Sequence, residues 1–206
     1  LDRGNVAEAM FHFQRALSKA EQIGHQYNIG MLLLYLSRLY ASTEEWEKAL
    51  EYACRSAKAL EEIKALEDLV NVYTYQGRCW HNLGDTVRAV RCVDEAQALL
   101  EKLQSGDRAN ESRGWALRLL GEIELSKGNF ELAEAWLRES MQIFDRLGSQ
   151  VEQARTMLVQ ARLAAVQKQL SAARMLCNET KMIFRQLGAR LDLEKAERFL
   201  RDIGFD

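Results

Sequence analysis

The chain has 206 residues, 48% hydrophobic and 28% charged, with a formal net charge of -2. That balance supports a continuous buried core and argues against disorder, and the near-neutral charge argues against a general nucleic-acid binder, which needs a basic face to neutralise phosphates. Proline is absent and apolar residues recur at three and four rather than at two, which predicts helices joined by short turns, without strands.

In chain order the predicted helices cover about 5–23, 27–41, 44–63, 67–82, 85–103, 110–126, 129–147, 150–166, 169–187 and 190–203. Segments beginning at Gly4-Asn5, Glu44-Glu45, Gly84-Asp85, Gly128-Asn129 and Lys168-Gln169 align without internal gaps. An alanine falls at one place in every copy, Ala9, Ala49, Ala89, Ala133 and Ala173, at spacings of 40, 40, 44 and 40. Seven residues later stand Ala16, Ser56, Ala96, Ser140 and Thr180; twelve before the last four alanines stand Ser37, Gly77, Gly121 and Ala161. Small side chains at such fixed intervals let two helices approach to the lower end of the roughly 8–10 Å packing range. Val6, Trp46, Phe130 and Leu170, with Phe13, Val93 and Leu137, fill the space between these crossings.

The second helices end on Ile23, Ile63, Leu103, Leu147 and Leu187, and Gly24, Gly148 and Gly188 follow as left-handed caps. Gly4-Asn5, Gly84-Asp85 and Gly128-Asn129 pair a turn glycine with an N-cap side chain. The four extra residues of the third spacing are expected in a longer loop within the polar run 104–112. The whole of 1–206 reads as one solenoid domain: a half repeat 1–25, repeats of about 26–65, 66–105, 106–149 and 150–189, and a capping helix 190–206. A start on Leu1, at the second helix of a repeat, reads as a piece of a larger protein.

These residues resemble the tetratricopeptide repeat. Leu120-Gly121 is similar to its Leu-Gly pair, Gly77-Arg78-Cys79-Trp80 to its Gly-x-x-aromatic, and Ala9 with Phe13 to its Ala-x-x-x-Phe. The spacing of 40 rather than 34, and the missing proline, depart from the common form. HEAT repeats share the spacing, but not this Gly/Ala register. The resemblance implies an all-α, right-handed superhelical solenoid of antiparallel helix hairpins, about ten helices in all. The longer variant, with the closing stretch Ile183 to Arg190, is similar to the C-terminal repeat regions of large bacterial signalling proteins. Among these are LuxR-type transcription regulators and repeat-bearing cyclases or kinases.

No phosphate-cradling loop, His-Glu-x-x-His or Gly-x-Ser-x-Gly pattern occurs, so no catalytic residue, metal ligand or cofactor is assigned and the chain is not read as an enzyme. His12, His25 and His81 are read as surface or packing residues. Cys54, Cys79, Cys92 and Cys177 stand singly, as small core hydrophobes in a reduced, cytoplasmic chain. Trp46 and Trp80 take core positions, whereas Trp115 and Trp136 are left open. An apolar run such as Met31 to Tyr35 is far too short to span a membrane. Asn110-Glu111-Ser112 and Asn178-Glu179-Thr180 match the glycosylation pattern, without a signal peptide to support it.

The resemblance places function on the groove lined by the first helix of each hairpin. The position after each crossing residue is Arg38, Arg78, Glu122 or Arg162; one turn earlier stand Leu34, Thr74, Arg118 and Leu158. Asn71, Thr74, Tyr75, Arg78 and Asn82 cluster on the same side of the second repeat. Guanidinium groups bind carboxylates bidentately and asparagine grips extended backbone, so the expected partner is an acidic peptide or helix face. The plainer reading pairs these arginines with neighbouring glutamates or leaves them solvated, and Glu122 breaks the row. The expected function is a non-catalytic protein–protein interaction or regulatory module, with neither nucleic acid nor membrane as direct partner and homo-oligomerisation left open. The alternative is a small-molecule-sensing regulatory domain of a bacterial transcription regulator or signalling enzyme.

Overall fold

The computed structural model describes residues 3–103 and 107–204, with side chains for 6–103 and 110–204. Among these residues it contains α-helices and no strand. The helices are α1 (Arg3–Ile23), α2 (Gln26–Ser42), α3 (Trp46–Glu62), α4 (Leu66–Asn82), α5 (Thr86–Lys102), α6 (Asp107–Lys127), α7 (Phe130–Arg146), α8 (Gln150–Val166), α9 (Leu170–Gln186) and α10 (Arg190–Asp202). The chain divides into two compact units, Arg3–Leu119 and a second beginning at Leu120.

One turn design joins the helices at every junction except that from α5 to α6, where α5 ends on Leu103 in an extended conformation. The residue after each last turn has φ between 55 and 84°, at Gly24, Glu44, Lys64, Gly84, Gly128, Gly148, Lys168 and Gly188. The next backbone N–H donates to the carbonyl five residues back, as in Glu45 to Tyr40 at 3.0 Å, Gln169 to Ala164 at 2.8 Å and Ala189 to Phe184 at 2.8 Å. That is the Schellman closure, which satisfies carbonyls the helix end would otherwise leave bare. The cap glycines expected from the sequence adopt it, and so do one glutamate and two lysines that carried no such signal.

A side chain in this conformation costs roughly 1–2 kcal/mol. A Cβ at Gly84, where φ is +84°, would meet nothing within 4 Å, so the cost of Gly84→Ala is purely conformational. We expect Gly84→Ala to lower unfolding stability by about 1–2 kcal/mol and Lys64→Gly to raise it by up to about 1 kcal/mol. Urea denaturation measures both; a destabilising Lys64→Gly would contradict the turn assignment.

Two details differ from the sequence reading. The four extra residues lie in helix rather than in a long loop: α6 has 21 residues where α5 and α7 have 17, and it starts at Asp107. Residues 104–106 lie outside the described residues. Asp85 caps α5 by accepting from the Arg88 N–H at 2.9 Å, but the Asn129 amide donates instead to Glu124 Oε2 at 2.6 Å. Gly4 and Asn5 lie inside α1, and the Asn5 side chain is outside the described residues.

The crossings follow the small residues. In the Arg3–Leu119 unit, Ser37 donates to the Ala49 carbonyl at 2.7 Å, and a Cβ on Gly77 would stand 3.1 Å from the Ala89 carbonyl. Ser56 bonds the Gly30 carbonyl at 2.7 Å. Leu17, Leu33 and Leu36 form one core there; Leu34, Ala57, Leu60, Leu69 and Val72 form the next. In the unit beginning at Leu120, a Cβ on Gly121 would stand 3.4 Å from the Ala133 carbonyl. Its cores are Ala133, Leu137, Val159 and Leu163, then Ala154, Leu158, Ala161, Cys177, Phe184, Ala196 and Leu200.

Candidate functional site

In the first unit, α2, α4 and the part of α6 up to Leu119 carry most of the predicted residues. Arg38 of α2 is half-buried, and its guanidinium carbon lies over two rings, Tyr75 of α4 at 5.4 Å and Trp115 of α6 at 5.6 Å from the centroids. Arg78 of α4, one turn beyond Tyr75, lies 5.9 Å over the ring of Trp46 at the start of α3. The attraction is between the cation and the electron-rich ring face. Among the described residues no carboxylate stands within salt-bridge distance of Arg38 or Arg78.

That separates them from arginines satisfied within the chain. In the second unit Arg155 of α8 grips Asp192 of α10 through Nε at 3.2 Å and Nη2 at 2.7 Å, and reaches Glu152 at 2.6 Å through Nη1. These contacts occupy three of the five guanidinium donors. The guanidinium groups of Arg38 and Arg78, by contrast, have no hydrogen-bond acceptor among the described residues.

The remaining predicted residues divide. Asn71 is half-buried and already engaged, its Oδ1 accepting from Ser112 of α6 at 2.6 Å. Thr74 is buried and its hydroxyl donates to the Val70 carbonyl at 2.8 Å, the usual way a helical threonine satisfies itself. Asn82 is exposed, with its amide on the Arg78 carbonyl at 2.9 Å. Arg118 is buried in α6. Glu122 is half-buried and Arg162 exposed; both belong to the unit beginning at Leu120. Sequence reasoning missed Trp115 and Ser112 as members of this face. The signal for Trp115 was present, since it precedes Arg118 by one helical turn.

Cys54 is exposed, contrary to the core role expected for it. The other three cysteines are buried, and burial pushes the Cys79 thiol up to about 12 and those of Cys92 and Cys177 up to about 11. Among the described residues no group of His, Cys, Asp and Glu is placed to hold a metal ion, and no helix is long and apolar enough to cross a membrane.

No family model and no curated protein matches the chain. Solved structures do. BtubC (BKLC) from P. vanneervenii matches with a TM-score of 0.63 at 12% identity, over 96% of this chain and 90% of that one. A Rap protein complexed with Competence and Sporulation Factor matches with a TM-score of 0.63 at 17% identity, over 94% of this chain, which spans 57% of the Rap chain. The Podosopora anserina putative kinesin light chain nearly identical TPR-like repeats match with a TM-score of 0.56 at 17% identity, over 89% of both chains. The chain therefore has the tetratricopeptide-like solenoid fold, as its alanine and glycine register implied.

Proposed function

We propose that this chain is a non-catalytic interaction and regulatory module whose α2–α4–α6 face takes an acidic peptide or the acidic face of a partner helix. The observation that carries the reading is the state of Arg38 and Arg78: both guanidinium groups rest on aromatic rings, and neither has a carboxylate of its own among the described residues. A cation partly withdrawn from water and left without a counter-charge gains most when a partner brings one. The fold suits this use, since the similar Rap structure is a complex with Competence and Sporulation Factor. Free, buried thiols fit a reduced, cytoplasmic setting. The resemblance to bacterial signalling proteins suggests a parent chain in which this module governs an effector.

Selection from a random peptide display library tests the reading, with Arg38→Glu/Arg78→Glu as the counter-selection. Wild type is expected to enrich peptides rich in Asp and Glu, which the double variant does not retain. Enrichment without acidic bias, or equal retention by a variant of unchanged helicity, would refute the acidic-partner reading.

A further inference from the structure

Resting on the acidic-partner reading, we infer that Tyr75 and Trp115 are the specificity-determining residues of this face, holding Arg38 so that it reads a side-chain carboxylate of an Asp or Glu in the plane of its guanidinium. A guanidinium has five N–H donors, all in its own plane, and two faces that donate nothing. Here rings from two different helices have their centroids 5.4 and 5.6 Å from the Arg38 guanidinium carbon, within cation–π range. The rings take part of the cation's surroundings from water, while no acceptor among the described residues occupies its N–H donors. A carboxylate is planar, and its two oxygens match one fork.

The rings also restrict Arg38. An arginine side chain free in solvent loses much rotamer freedom on binding; one already resting on two rings has lost part of it before the partner arrives. Arg78, one turn from Tyr75, is a second arginine on α4 with no carboxylate among the described residues paired to it. Arg38 therefore acts as a shaped donor rather than as a point charge. Lysine, a compact ammonium without a fork, is not its equivalent.

Charge-preserving variants separate this inference from general attraction between an acidic peptide and a basic face. The probe is fluorescein-labelled oligoglutamate, with oligoglutamine as control, followed by anisotropy at fixed salt. Trp115→Leu, Tyr75→Leu and Arg38→Lys leave the net charge unchanged, yet each is expected to weaken oligoglutamate binding about tenfold, while Trp115→Phe stays within about twofold of wild type. Circular dichroism checks that the helix content is unchanged. Equal binding by wild type and all the charge-preserving variants, with loss only in Arg38→Glu/Arg78→Glu, would overturn the role of the rings and leave the acidic-partner reading standing. No preference of wild type for oligoglutamate over oligoglutamine would remove both.

Discussion

Phe184→Ala is expected to cost about 3–5 kcal/mol, because Phe184 is 0% exposed and its removal leaves a cavity that the surrounding helices cannot close. Its neighbours come from three helices: Leu158 of α8, Cys177 of α9, and Ala196 and Leu200 of α10. In a stacked array each helix is held chiefly by adjacent ones, so the loss should be local. The last two helices are predicted to open before the rest, with a fall in melting temperature on the order of 10 °C. Hydrogen exchange resolved by residue measures this: protection should drop in 170–202 and persist in 26–82. Met175, on the same helix but 73% exposed, provides the control, and Met175→Ala should stay within about 0.5 kcal/mol of wild type. A uniform loss of protection in Phe184→Ala would mean that the chain unfolds as one cooperative block.

Gly77→Val has the second large effect, through excess volume. A Cβ at Gly77 would lie 3.1 Å from the Ala89 carbonyl oxygen, 3.1 Å from Leu119 Cδ2 and 3.3 Å from Cys92 Cβ. Two of these three neighbours are a backbone oxygen and a Cβ, which cannot swing aside. Valine adds two further methyl groups in the same place and is stiff at χ1. Overpacking of this kind costs about 1–3 kcal/mol, offset in part by the helix propensity that any residue gains over glycine. We expect a net loss of roughly 2 kcal/mol in urea denaturation. Gly77→Ala should come out much milder, since its three contacts exceed 3.0 Å and need only a few tenths of an ångström of adjustment. A neutral Gly77→Val would show that the α4–α5 crossing is not set by small residues.

These crossings were legible in the sequence because sterics impose them without context. Wherever two backbones approach, the residue between them must be small, whatever the rest of the repeat does. Ala49, Ala89, Ala133 and Ala173 are all 0% exposed, as their shared register implied. The turns were half legible. Gly24, Gly148 and Gly188 announced a left-handed cap, whereas Glu44, Lys64 and Lys168 adopt the same conformation under the pull of the closing backbone hydrogen bonds. The run Asp107 to Ser112 looked like a loop through its polar composition, but it is helical, and Ser112 turns inward to donate to Asn71.

The proposed binding face was legible as a face and not as a set of contacts. Helical spacing assigned Arg38, Asn71, Tyr75 and Arg78 to one side, and Arg38 does lie over Tyr75. It gave no warning that Thr74 would bond its own helix, that Asn71 would be engaged by Ser112, or that the long Arg38 side chain would lean across α4 to a tryptophan on α6. Such reaches depend on interhelical distances and rotamers, which a one-dimensional period does not contain. Cys54 shows the same limit at a single residue: it follows buried Ala53 in the chain, and one step along a helix turns it to the solvent.

The central claim is that Arg38 and Arg78 await a carboxylate, and the nitrogen resonances of their guanidinium groups report on it most directly. With both signals assigned by comparison with Arg38→Lys and Arg78→Lys, oligoglutamate is added stepwise and the Nε–H shifts are followed. Saturable shifts at Arg38 and Arg78, with the Arg155 signal unmoved in its pair with Asp192, are the predicted result. Binding that leaves both signals in place, or shifts all arginines alike, would contradict the account.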